Sequence, residues 1–139
     1  SSKEDDLFIP KVNLKGLNVL TLVSNPTNRK TLTALLEKYG ANVIAPVQIS
    51  SECTELHEYQ SSELDVVFVD ISLLEGRNHV TAQKIRNALT DQSLKMVLMS
   101  SVQEPKTLHD IKQIGFDAYF NKPATLISIF DSLTFLLSE

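Results

Sequence analysis

The sequence predicts an α/β domain in which a parallel sheet is covered by helices on both faces. Short apolar runs alternate along the 139 residues with segments whose apolar residues recur every three or four positions. The run 65–70, DVVFVD, holds four consecutive apolar residues, which is typical of a strand buried on both faces of a parallel sheet. Hydrophobic residues make up 42% of the chain, enough for the core of one domain.

Composition also sets the domain limits and excludes some functions. Residues 1–16 are acidic and aperiodic, which predicts a linker or arm before a folded domain at 17–139. No apolar run approaches the roughly 18 residues of a membrane span. The net charge is −4 with scattered Lys and Arg, so we expect neither nucleic acid nor a membrane as a direct partner. The single cysteine, Cys53, excludes an internal disulfide.

The first half of the chain predicts two strands and two helices. The first strand is 18–23, and Pro26 suits the first turn of the helix that follows, with Ser24 or Asn25 as its cap. Gly40 lies where a left-handed helix terminus is expected. The second strand is 42–45, and a weaker helix follows at 51–60. The predicted core positions of these two helices are Leu32, Leu35, Leu36, Tyr39 and Leu56.

The second half repeats the alternation three times. Strands are predicted at 65–70, 96–100 and 118–121, and the fourth helix at about 105–114. The core positions of the third and last helices are Ala82, Ile85, Leu89, Leu126, Ile129, Phe130, Leu133, Leu136 and Leu137. Right-handed crossovers would place these helices on both faces of the sheet.

Five residues, four of them polar, fall at or just after the carboxyl ends of the predicted strands. Asp70 ends the third strand, Ser100 the fourth, and Lys122 follows the fifth, whereas Val23 and Ser24 follow the first. Ligands of such folds bind beyond these strand ends. A carboxylate can attack a phosphoryl donor, a hydroxyl can donate to its oxygens, and an ammonium can neutralise the charge. The sequence therefore predicts one polar crevice at this edge.

The motifs in this order resemble the receiver domains of response regulators in two-component signalling. The opening LKGLNVLTLVSNPTNRKTL is similar to receivers within hybrid sensor histidine kinases, and QIGFDAYFNKPA is similar to the family's fifth strand and Lys-Pro turn. The resemblance implies a flavodoxin-like, CheY-like fold with strand order 2-1-3-4-5. It also implies that Asp70 is the candidate phospho-acceptor, with Ser100 as the hydroxyl residue, Lys122 as the lysine before the family's proline and Tyr119 as the aromatic switch.

The chain departs from this family at the metal site. The family places an acidic pair that holds Mg²⁺ where this chain has Val23 and Ser24. Magnesium requires oxygen ligands, commonly carboxylates, and phosphoryl transfer depends on charge neutralisation. We therefore expect weak or absent Mg²⁺ binding, no other metal and no cofactor. Without the pair, Asp70 is expected to form a simple ion pair with Lys122, leaving the domain in one fixed state.

Three functions follow as hypotheses. The first is a pseudo-receiver: a non-catalytic, regulatory interaction module in the cytoplasmic part of an inner-membrane hybrid histidine kinase. Its partner would be the kinase core or another receiver of the same chain, docked on the face formed by the fourth helix, fifth strand and last helix. The alternative is a working receiver that takes phosphate from a histidine kinase onto Asp70. A flavodoxin-like cofactor binder is disfavoured, because the first turn lacks a Ser/Thr- and Gly-rich phosphate loop.

Overall fold

A parallel five-stranded sheet organises the protein, as the sequence predicts. The computed structural model describes residues 10, 12–50, 52–60, 62–90, 93–103 and 106–137. The strands are β1 Asn18–Leu22, β2 Asn42–Ile44, β3 Val66–Asp70, β4 Lys95–Ser100 and β5 Ala118–Asn121. Their order is β2-β1-β3-β4-β5, and every neighbouring pair is parallel. The predicted strand order 2-1-3-4-5 is confirmed, and the carboxyl ends of all the strands meet at one edge.

Four α-helices lie in the described part of the chain. They are α1 Pro26–Lys38, α2 Asn78–Leu89, α3 Leu108–Ile114 and α4 Leu126–Leu137. Helix α1 begins at Pro26 as predicted, and the Asn25 side chain accepts the Asn28 N–H at 3.0 Å. Thr107 and Asp110 cap the start of α3 reciprocally. No helix within the described ranges is long and apolar enough to cross a membrane.

The prediction of a second α-helix at 51–60 is wrong. The structure has a single short 3₁₀-helix there, Thr54–Tyr59, preceded by Cys53 in the left-handed conformation (φ 57°). Leu56 is the one fully buried residue of this segment and Tyr59 is partly buried, so the segment lacks the apolar stripe that would hold a longer helix against the sheet. A second 3₁₀-helix, Ile71–Leu74, follows β3 directly.

The sheet divides the core into two layers. Side chains alternate along each strand, so Val66 and Phe68 pack under α1 and α4, whereas Val67 and Val69 pack under α2, α3 and the first 3₁₀-helix. All five residues of β3 are buried, which confirms the prediction made from the run DVVFVD. The strand therefore has no solvent-facing position.

The predicted arm at 1–16 lies mostly outside the described residues and stays a prediction there. Within the described part, however, Leu14 is buried in the α1/α4 layer and its carbonyl accepts the Leu17 N–H at 2.9 Å. Val12 packs against the same layer. The packed domain therefore begins before residue 17. The sequence does not predict this start, because a lone leucine among polar residues carries no periodic signal.

An ion pair joins three elements at the edge of the sheet opposite the predicted crevice. Arg86 of α2 lies 2.9 Å from Asp117, and its guanidinium also donates to the carbonyls of Leu94 and Gly115. The same Asp117 carboxylate accepts the Met96 N–H at 2.8 Å. These bonds tie α2 to the starts of β4 and β5.

Candidate functional site at the carboxyl edge of the sheet

Asp70 and Lys122 form the centre of the site. Asp70 is the last residue of β3 and is 2% exposed. Its Oδ1 lies 2.9 Å from Lys122 Nζ and also accepts the Ser72 N–H at 2.9 Å. One carboxylate oxygen therefore pairs with the lysine and caps the 3₁₀-helix that follows. The predicted ion pair is confirmed, and the Lys122-Pro123 peptide bond is cis.

Ser100 lies beside this pair through its backbone. Its carbonyl accepts the Lys122 N–H at 2.9 Å, which fixes the end of β4 against the turn after β5. The Ser100 side chain is fully buried, and its Oγ has no hydrogen-bond partner among the described residues. The structure thus brings Ser100 to the predicted edge, but its hydroxyl donates to neither Asp70 nor Lys122.

Val23 and Ser24 lie just beyond the end of β1 and have different environments. Val23 is 1% exposed and packs in the α1/α4 layer, whereas Ser24 is exposed. Arg29 of α1 donates from Nη1 to both of their carbonyls, at 3.2 Å and 3.1 Å. Arg29 is a residue that sequence reasoning missed, because its contacts depend on how the first turn of α1 returns over the strand end.

The side chains at this edge do not fit Mg²⁺ as the family binds it. Val23 offers no side-chain oxygen and is buried as a hydrophobic residue, and Ser24 offers a neutral hydroxyl. Asp70 is the carboxylate that remains, and one of its oxygens already holds the lysine and the Ser72 N–H. In the part of the chain that the structure describes, no group of three or more His, Cys, Asp or Glu residues is placed to hold a metal. A hard divalent ion would lack its usual anionic ligands here.

Tyr119 lies away from the Asp70 pair, in a groove between α3 and α4 over β5. Its side chain is half-buried and packs against the apolar layer that lies under α2, α3 and the first 3₁₀-helix. The groove has a volume of about 440 Å³. Leu108, Ile127 and Phe135 line it and are 41%, 59% and 42% exposed. Such a cluster of exposed apolar side chains is typical of an interaction surface.

A sheet in this order, with an aspartate ending β3, a hydroxyl residue ending β4 and a lysine after β5, defines a receiver-type α/β domain. The family described as "Response regulator receiver domain" matches residues 19–134. The chain therefore belongs to the response regulator receiver domain family.

Two curated proteins are similar to much of this chain. "Ethylene receptor 2" of Oryza sativa subsp. japonica is 27% identical over 136 residues, covering 96% of this chain and 18% of the receptor. "Hybrid signal transduction histidine kinase C" of Dictyostelium discoideum is 27% identical over 92 residues, covering 66% of this chain and 8% of that protein. The chain thus spans less than a fifth of the length of these relatives.

The fold is shared with solved receivers. The receiver domain of the sensor histidine kinase PA1611 from Pseudomonas aeruginosa, solved with a magnesium ion coordinated in its active-site cleft, has a TM-score of 0.69 to this chain. The two are 16% identical, and the match covers 89% of this chain and 99% of that one. At this identity the likeness supports the shared fold.

Proposed function

We propose that the domain is a pseudo-receiver that regulates a hybrid sensor histidine kinase by protein interaction rather than by accepting phosphate. The observation that carries the proposal is the Asp70–Lys122 ion pair at 2.9 Å, formed beside a strand end where Val23 and Ser24 replace an acidic pair. The carboxylate is already neutralised by the lysine, and the neighbouring side chains supply no further negative charge to attract a metal.

The loss of the acidic pair also removes the electrostatic repulsion that would favour a change of conformation when a cation or a phosphoryl group binds. Clustered carboxylates repel one another, and a bound cation or a phosphoryl group relieves that repulsion. A single carboxylate paired with one ammonium has no such strain, and here it also caps the 3₁₀-helix after β3 through Ser72. A ligand shifts a conformational equilibrium only by its differential affinity for the two states. The domain therefore rests in the paired state.

The role that we propose for the domain is therefore to bind another protein or domain. The groove between α3 and α4, with Leu108, Ile127 and Phe135 exposed along it, is the docking surface that we propose. The partner is the kinase core or a second receiver of the same chain, by analogy with the hybrid kinase among the relatives. We further propose that the domain lies on the cytoplasmic side of an inner-membrane kinase, that it binds no cofactor and that it contacts neither nucleic acid nor lipid.

Phosphotransfer tests this proposal directly. The chain is incubated with a phosphorylated histidine kinase and Mg²⁺, beside Asp70→Ala and the double variant Val23→Asp/Ser24→Asp. We expect the wild-type chain to gain no label above the Asp70→Ala background. We expect the double variant to gain label that disappears when Asp70→Ala is added. Labelling of the wild-type chain that depends on Asp70 would contradict the proposal.

The alternative function is a working phospho-acceptor, and one observation favours it. Asp70, Ser100 and Lys122 all lie at the same edge of the sheet, as a receiver requires. Magnesium and beryllium fluoride, added together, separate the two functions. A working receiver would show saturable shifts of the amide resonances around Asp70, Ser100 and Lys122. For the pseudo-receiver we expect those resonances to stay unchanged at millimolar concentrations of both reagents.

A further inference from the structure

An open cleft lies beside the turn between β1 and α1, on the side facing the loop after β2. Its volume is about 530 Å³, within the range of about 300–1,000 Å³ that is usual for small-molecule sites. Its lining combines apolar side chains with two opposite charges. Pro26, Val47 and Ile49 form the apolar part of the lining and Arg29 and Glu55 the charged part, and polar residues that include Ser24 and Ser50 complete it.

The positively charged residue of this cleft, Arg29, is held in place by hydrogen bonds from only some of its N–H groups. Arg29 Nη1 donates to the carbonyls of Val23 and Ser24, which fixes the guanidinium at the end of β1. Its Nε and Nη2 groups make no hydrogen bond within the described residues. A guanidinium has five N–H donors arranged to bind a carboxylate with two parallel bonds. Three of those donors therefore remain for a ligand, close to the N-terminal end of α1, which also favours negative charge.

The anion of the cleft is held separately. Both oxygens of Glu55 accept the Ser50 N–H, at 3.3 Å and 3.1 Å, and Oε1 accepts the Ser50 hydroxyl at 2.9 Å. Hydrogen bonds from its own backbone and from the Ser50 hydroxyl hold the pKa of Glu55 below its usual value, so it is ionised at neutral pH. Arg29 and Glu55 line the same cleft without forming an ion pair with each other in the described structure. Each charge is kept in place by its own partners.

From this arrangement we infer that the cleft binds a small zwitterion with an aliphatic body, of the α-amino acid class. The carboxylate of the ligand pairs with Arg29, its ammonium with Glu55, and its side chain covers Val47 and Ile49. Val47 is 67% exposed, so an aliphatic occupant would remove its side chain from water. A phosphate ester fits less well, because Glu55 would repel its negative charge. The two protein charges are fixed before binding, which lowers the ordering cost of binding.

The proposal goes beyond the pseudo-receiver function and holds whether or not Asp70 accepts phosphate. Its test is an amide NMR titration of the ¹⁵N-labelled chain with L-leucine. Two analogues serve as matched ligands: 4-methylpentanoate, which lacks the ammonium, and 3-methylbutylamine, which lacks the carboxylate. We expect leucine to shift the amides of residues 24, 25, 27–29 and 47–50 saturably, with an affinity at least about tenfold higher than that of either analogue.

Variants of the two charged residues test their roles separately. We expect Arg29→Gln and Glu55→Gln each to weaken leucine binding at least about tenfold, and Lys30→Gln, on the same helix but outside the cleft, to leave it unchanged. Because Arg29 also holds the turn after β1, Glu55→Gln is the deciding variant: Glu55 is only half-buried, and the amide oxygen of a glutamine can still accept the hydrogen bonds from Ser50. Absence of saturation by leucine, equal affinity for an analogue, or unchanged binding in Glu55→Gln would each overturn the proposal.

Discussion

Removal of the lysine from the Asp70–Lys122 pair should cost much more stability than removal of the aspartate. In Lys122→Met the carboxylate of Asp70 stays in a site where its side chain is only 3% exposed. Water cannot replace the missing ammonium there. In Asp70→Asn the amide oxygen still accepts the Ser72 N–H, and Lys122, whose side chain is 28% exposed, can extend its ammonium into solvent. The two substitutions break the same ion pair but leave different groups unsatisfied.

The size of the effect follows from this burial. Breaking a buried ion pair by removing one partner costs about 3–5 kcal/mol in general. Here the Ser72 N–H still stabilises the carboxylate and Lys122 is partly solvated, so we expect about 2–3 kcal/mol for Lys122→Met. For Asp70→Asn, where a charged hydrogen bond is lost without a stranded charge, we expect about 1 kcal/mol.

Urea denaturation followed by far-UV circular dichroism measures both values, with the midpoint and slope fitted together. Lys112→Met is the matched control: it makes the same substitution at an exposed position of α3 and should change stability by less than about 0.5 kcal/mol. The reasoning is refuted if Lys122→Met costs less than about 1 kcal/mol, or if Asp70→Asn costs as much as Lys122→Met.

Three further predictions concern other parts of the fold. Arg86→Met removes the partner of Asp117 and three donated hydrogen bonds, so the urea midpoint should fall by an amount equivalent to about 2–3 kcal/mol; an effect below about 1 kcal/mol would contradict the structure. Hydrogen bonds from the Thr107 backbone and hydroxyl hold the pKa of Asp110 below its ordinary value. Asp110 therefore contributes stability that is complete above its ordinary pKa of about 4 and is lost as pH falls through the lower folded value, so Asp110→Asn should flatten the acid side of the stability profile and an unchanged slope would be contrary to expectation. Burial raises the pKa of the Cys53 thiol, so its reaction with an aromatic disulfide reagent at pH 8 should be at least about tenfold slower in the native chain than in urea; equal rates would show that the thiol is accessible.

The sheet could be predicted from the sequence because its signals are local. The run of apolar residues in β3, the helix start at Pro26 and the short strand before Lys122 each follow from residue type and spacing. Parallel strands then bring their carboxyl ends together, so the approach of Asp70 to Lys122 could be predicted without coordinates.

Other features depend on geometry that spacing does not encode. The 3₁₀-helix at Thr54–Tyr59 replaces a predicted α-helix because one buried leucine cannot hold a long helix and Cys53 adopts a left-handed conformation. The burial of Leu14 and the return of Arg29 onto the strand end result from three-dimensional packing. The Ser100 hydroxyl lies at the predicted edge, but its missing hydrogen bond depends on the orientation of one side chain. Whether residues 1–9 and 11 form an arm stays a prediction.

The burial of every residue in β3 has an evolutionary consequence. Mutations along this strand would be removed by selection for folding, whereas an exposed polar position beyond the strand ends, such as Ser24, can vary at little cost to the apolar layers. Most of the residues that hold the sheet together are therefore distinct from those that would perform phosphoryl chemistry. A protein of this family can therefore lose phosphoryl transfer during evolution and keep its fold. Such a domain can then be selected for binding other proteins.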